Sequence, residues 1–118
     1  MKYYQQFIEL QTRYQARGFT VLGFPCNQFF KQEPWPSHRL YDFLKENHVN
    51  FPVFARIDVN GKDAHDLFKF LRFHSPLNCG TIGWNFGKFL VDRQGNVVGY
   101  YGPRTEPNEM IPDIEKLL

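Results

Sequence analysis

The sequence predicts an α/β fold, and three observations predict it. Tyr3, Phe7, Leu10 and Tyr14 recur at steps of four, three and four, which places them on one face of a helix. The apolar run from Phe19 to Phe24 follows at once and reads as a strand buried on both faces, as in a parallel sheet. Helical and strand-like patterns then alternate to the end of the chain, which is the wiring of an α/β protein.

Taken in order, the first helix has Arg13 and Arg17 near its negative end and Gly18 as its stop. Pro25 ends the first strand, and the residues after it form a loop at the strand's carboxyl end, where open α/β sheets bind ligands. Ser37 is the expected N-cap of a helix carrying Leu40, Phe43 and Leu44. Phe51 to Ile57 reads as a second strand, with Pro52 near its start. Asn60-Gly61 signals a turn, and the helix after it points Leu67, Phe68 and Leu71 inward, with His65 as a helix-packing residue. Residues 73–83 are loop. Phe89-Leu90-Val91, Gln94-Gly95 and Val97 to Tyr100 predict a β-hairpin. A last helix carries Met110, Ile111, Ile114 and Leu117, and Pro112 confines its start to about Glu109. No repeat, linker or low-complexity tract divides residues 1–118, so one domain is expected.

Composition narrows the function. The 118 residues include thirteen Phe, six Tyr and two Trp, most of which must be buried. A net charge of +2 without a basic block argues against nucleic acid. No apolar run is long enough for a membrane helix, which needs about 18 residues. No signal peptide is visible. Cys26 and Cys79 are too few for a disulfide scaffold, which favours a reducing compartment, the cytoplasm. The four histidines have no metal spacing.

The chemistry gathers at two places. Phe24-Pro25-Cys26-Asn27-Gln28-Phe29, with Gln32 beyond it, ends the first strand. Trp84-Asn85-Phe86 leads into a later one. Gln32, Trp84 and Asn85 bring two amides and an indole to the ends of neighbouring strands. All are neutral hydrogen-bonding groups, and none is a nucleophile, base or metal ligand. Such a set stabilises a reactive anion but does not supply one. Taken singly, Gln32 reads as a solvated loop amide, Trp84 as a core residue and Asn85 as a turn residue. Cys26 reads as structural, and Cys79 as an incidental thiol or a partner for Cys26.

These stretches, together with Gln32-Glu33-Pro34, Val59-Asn60-Gly61, Ala64-His65 and Lys88-Phe89-Leu90-Val91, resemble the glutathione peroxidase family along essentially the whole chain. The resemblance implies a thioredoxin-like fold, here lacking its N-terminal hairpin and central strand. It also implies reduction of hydrogen peroxide and organic or lipid hydroperoxides by thiols. Gln32, Trp84 and Asn85 match the family's catalytic positions, whose fourth member is a selenocysteine or cysteine. That residue is expected a few positions ahead of Met1, so the chain as written is expected to be inactive alone. Phe30 departs from the family's usual glycine, which puts the placing of Gln32 in question.

Members of the family that use thioredoxin carry a resolving cysteine between about Leu40 and Asn47, and none occurs here, so the resemblance implies glutathione or another external thiol as reductant; it implies no bound cofactor. The short 73–83 segment and Arg104-Thr105-Glu106-Pro107 resemble the monomeric phospholipid-hydroperoxide type. Two alternatives stand beside this reading: a catalytically dead thioredoxin-like remnant serving as a binding module, and a cysteine peroxidase using Cys26 and Cys79. Unpartnered strand edges further predict a poorly stable or aggregation-prone chain.

Overall fold

The computed structural model describes residues 2–26, 28, 37–78, 80–83 and 85–118 (backbone only at 37–39). Helix α1 (Lys2–Tyr14) runs into a 3₁₀ turn, Gln15–Arg17, which stops at Gly18 in the left-handed region at φ 92°. This is the expected glycine stop. The helix buries Leu10 and Tyr14, and the Tyr14 hydroxyl donates to Glu115 at 2.7 Å across the core.

The chain then passes extended beneath α1, but not as the expected strand. Val21 gives its N–H to the buried Gln11 side chain at 2.8 Å. Ladder contact is confined to one parallel bridge, Gly23 with Val53. Gly23 N–H to Pro52 C=O and Phe54 N–H to Gly23 C=O, both 2.9 Å, make that bridge. Ile57 N–H to Pro25 C=O at 3.0 Å follows. Leu22 is 49% exposed and Phe54 45%, so neither segment is buried on both faces. The expected strands 19–24 and 51–57 are thus an extended pair with a single bridge. Each has no further ladder partner among the described residues, and a strand needs partners to form.

Helix α2 (Ser37–Glu46) includes Ser37 as its first residue. It buries Leu40 and ends where Val49 N–H returns to Leu44 C=O at 3.0 Å past a left-handed His48. Tyr4 and Phe43, rings 5.5 Å apart and near perpendicular, join it to α1. Helix α3 (Asp66–Phe73) buries Phe68 and Leu71 as its spacing predicts. His65 does not pack against that helix. It is exposed and caps it, Nδ1 accepting the N–H of Leu67 at 3.1 Å.

The hairpin forms as expected. Strands β1 (Lys88–Val91) and β2 (Val97–Tyr101) pair antiparallel from Lys88–Tyr101 to Val91–Val97, with an irregularity between Leu90 and Val91. A 3₁₀ turn, Pro107–Met110, precedes α4 (Ile111–Leu117), two residues later than the expected start and with Pro112 in the first turn. Glu106 and Glu109 cap that turn reciprocally, an arrangement worth about 0.5–2 kcal/mol.

Two apolar clusters result. Leu10, Tyr14, Leu90, Met110 and Ile114 join α1, the hairpin and α4. Cys26, Val59, Phe68, Leu71 and Ile82 join the ends of the extended pair to α3. Residues of both clusters line one apolar cavity. Among the described residues, no helix is long and apolar enough to cross a membrane.

Candidate functional site

The extended pair ends at Pro25 and Ile57, and Cys26 turns inward against Phe68, Leu71 and Ile82. Only 6% of Cys26 is exposed. Burial pushes its thiol up, although hydrogen bonds from the backbone of Gln28 and Val59 pull the other way. A thiol so placed stays protonated at neutral pH and is a poor nucleophile. The structure therefore agrees with a structural Cys26.

Beyond Cys26 the chain is fastened by side-chain amides rather than by backbone ladders. The Gln28 carbonyl oxygen accepts from Val59 N–H at 2.7 Å and Asn60 N–H at 3.0 Å, and its NH2 donates to Asn60 C=O at 2.9 Å. Asn60 repeats the device on the next segment. It donates to Ile82 C=O and accepts from Ile82 N–H, both at 2.9 Å. Arg72 adds Nε to Gly80 C=O at 2.9 Å and Nη1 to Val59 C=O at 3.0 Å. The residues just before Trp84 are thus tied through Asn60 and Arg72 to the end of the extended pair. An asparagine or glutamine offers a donor and an acceptor side by side, so one side chain imitates one rung of a ladder.

Asn85 opens the turn that enters β1 and is half-buried. It lies on the wall of an apolar cavity of about 590 Å³ shared with Pro25, Cys26 and Phe24. The structure thus brings Asn85 and the carboxyl end of the first extended segment to one cavity. Gln32 and Trp84 lie outside the described residues, as do Phe30 and Cys79. Next in line, Phe86 adopts φ 66°, with its ring edge-on to Tyr3 at 5.1 Å and to Tyr4 at 5.8 Å.

Lys88 completes this corner. It is 7% exposed, and Nζ donates to Phe86 C=O at 2.6 Å and to Gly102 C=O at 2.9 Å. The ammonium also stands 5.1 Å from the centre of the Tyr3 ring. Burial brings its pKa down to about 8, against the pull of the Glu109 carboxylate. Gln28, Asn60 and Lys88 stand within sequence motifs that do not single them out as individual actors. For Lys88 a signal existed, because strand alternation puts it on the same face as the buried Leu90. Among the described residues no group of three or more His, Cys, Asp or Glu side chains could hold a metal ion.

Comparison with known proteins gives the class. The glutathione peroxidase family model matches residues 1–72. The chain is 50% identical over 117 residues to the glutathione peroxidase homolog BsaA of Bacillus subtilis (strain 168), covering 97% of this chain and 73% of that protein. It is equally 50% identical over 123 residues to the hydroperoxy fatty acid reductase gpx1 of Synechocystis sp. (strain ATCC 27184 / PCC 6803 / Kazusa), covering 98% and 73%. Among solved structures, the crystal structure of Trgpx in apo form superposes with a TM-score of 0.76 at 35% identity, covering 98% of this chain and 69% of that one. The chain belongs to the glutathione peroxidase family, and its fold is of the thioredoxin-like type.

Proposed function

We propose that this protein reduces hydrogen peroxide and organic hydroperoxides with thiols, glutathione among them, in defence against oxidants. The observation that carries the reading is identity of 50% to a glutathione peroxidase homolog along nearly the whole chain. The relative named as a hydroperoxy fatty acid reductase supports bulky lipid hydroperoxides as substrates. In this reading Gln32, Trp84 and Asn85 are the catalytic donors. They steady a selenolate or thiolate and then the oxygen that leaves as the O–O bond breaks. None of the three titrates, so none competes for the proton. For each peroxide reduced to water and alcohol, two thiols are oxidised to one disulfide. The buried Cys26 is not the nucleophile. We further propose that the protein works as a single-domain monomer in the cytoplasm, which fits a short 73–83 segment and few cysteines.

The test uses the protein isolated from its native source. With glutathione it should consume hydrogen peroxide and a fatty-acid hydroperoxide far faster than glutathione does alone. Cys26→Ser should leave that rate unchanged, while Asn85→Ala should lower kcat by about 10²–10³-fold. A rate equal to that of free thiol would overturn the proposal, and loss of activity in Cys26→Ser would move the nucleophile to Cys26.

A further inference from the structure

We propose that Lys88 is the positioning residue of the Asn85–Phe86 turn, holding the Phe86 carbonyl so that Asn85 is presented to the cavity. The inference rests on the reading of Asn85 as a site donor and adds the group that places it. Its geometry comes from three directions. Phe86 is a non-glycine residue at positive φ, a conformation that persists only where its surroundings impose it. Its ring is held by Tyr3 and Tyr4 of α1. Its carbonyl is held by Lys88 Nζ, whose second bond goes to Gly102 beyond β2.

The turn that begins at Asn85 is therefore clamped between α1 and the chain that leaves the hairpin. The clamp is cationic. Among the described residues Nζ has no carboxylate within salt-bridge distance. Two carbonyls and an aromatic face take the place of one.

Such a clamp is sensitive to its own charge. An ammonium gives charge-assisted hydrogen bonds, about twice as strong as neutral ones, and only the charged form is drawn to the Tyr3 ring. The groups facing Lys88 are Tyr3 from α1, Tyr101 opposite it on β2 and Glu109 from the turn before α4, while Tyr100 pairs with Phe89 on the other face of the hairpin. Burial pushes Tyr100 up, and burial with the Asp113 hydrogen bond takes Tyr101 to about 12. Neither of these tyrosines changes charge at mildly alkaline pH, whereas Lys88 does, at about 8.

The experiment is a pH titration of the ¹⁵N-labelled 118-residue chain, following the backbone amide of Phe86 and the side-chain amide of Asn85. Both should shift together with a midpoint near pH 8. Tyr3→Phe should leave that midpoint in place, and Glu109→Gln should lower it by removing the carboxylate that favours the ammonium. Lys88→Met should abolish the titration. Lys88→Arg should also abolish it while keeping both resonances near their neutral-pH positions, since guanidinium stays charged. A residue that merely supports the fold would change the melting temperature and leave no such midpoint.

A midpoint that survives in Lys88→Met, or a Lys88→Met chain in which both resonances stay where they were, would overturn the proposal. The readout needs no turnover. Absence of peroxidase activity would therefore sink the proposed function and leave this titration standing. In active protein, Lys88→Met should lower kcat by about 10²-fold through misplacement of Asn85, with Lys88→Arg recovering most of it.

Discussion

The hairpin and the extended pair of residues 19–26 and 51–57 have similarly apolar sequences and very different structures. The hairpin carries a ladder from Lys88–Tyr101 to Val91–Val97. The pair carries one bridge at Gly23 and Val53. The hairpin is closed locally, with Asp92 accepting the N–H groups of Gln94 and Asn96 at 2.9 Å and Gly95 at φ 88°. The pair must first close the chain between Gly23 and Val53, which is some sixfold longer and costs about 1.5 kcal/mol more in loop entropy. It also lacks a second neighbour among the described residues, and Leu22 and Phe54 remain half exposed. A strand-like sequence becomes a strand only when something pairs with it.

Truncation should expose the contrast most strongly. Leu90→Ala, in the hairpin face packed on Leu10 and Ile114, should cost about 2–5 kcal/mol in chemical denaturation. Leu22→Ala in the pair should stay within about 1 kcal/mol. Equal losses would mean that the pair is as well packed as the hairpin.

Asn60→Ala comes next, because it strips Ile82 of both amide bonds. About 1–3 kcal/mol should be lost, with faster hydrogen exchange across residues 80–83. Unchanged exchange would show that Arg72 alone holds that loop. Gly95→Ala should cost about 1 kcal/mol, since its position is open to a methyl group and only the positive φ resists it.

The smallest effect is acid loosening of the hairpin. Asp92 is held below the usual carboxylate range, chiefly by the Asn96 backbone N–H and then by the Asn96 side chain and the Gln94 and Gly95 N–H groups. A depressed folded pKa gives stability that is complete above the unfolded value of about 3.9 and is lost as pH falls through the folded one. Exchange of the β2 amides should therefore quicken below about pH 4 in the native chain but not in Asp92→Asn.

These contrasts show what the sequence reveals. Helices α1 and α3 and the hairpin are legible because their signals are local: apolar steps of three and four, and Gln94-Gly95 between two apolar runs. Phe19 to Phe24 misleads because burial on both faces depends on neighbours that no window contains. His65 reads as packing because it follows Ala64, yet it sits where the next helix needs an acceptor for Leu67. For the site, Asn85 taken singly reads as a turn residue, and the family resemblance is what proposes it as a donor. Its supports stay hidden, because Gln28 and Asn60 act on segments far away in sequence, and a lysine in a strand reads as solvated until Nζ is found on two carbonyls.

The amide strap at Asn60 has a consequence in time. Gly61 follows it, and a glycine nitrogen, with no side chain beside it, is the one best able to attack the asparagine side-chain carbonyl and expel ammonia, so such residues are thermolabile. While Asn60 is bonded to both groups of Ile82 it is restrained from that reaction. Once ammonia has left and water has opened the cyclic imide that remains, a carboxylate stands where the amide donor faced the Ile82 carbonyl, and attraction turns to repulsion. The loop that leads to Trp84 and Asn85 is thus moored by a group with a finite chemical lifetime, and old molecules should lose their mooring there first.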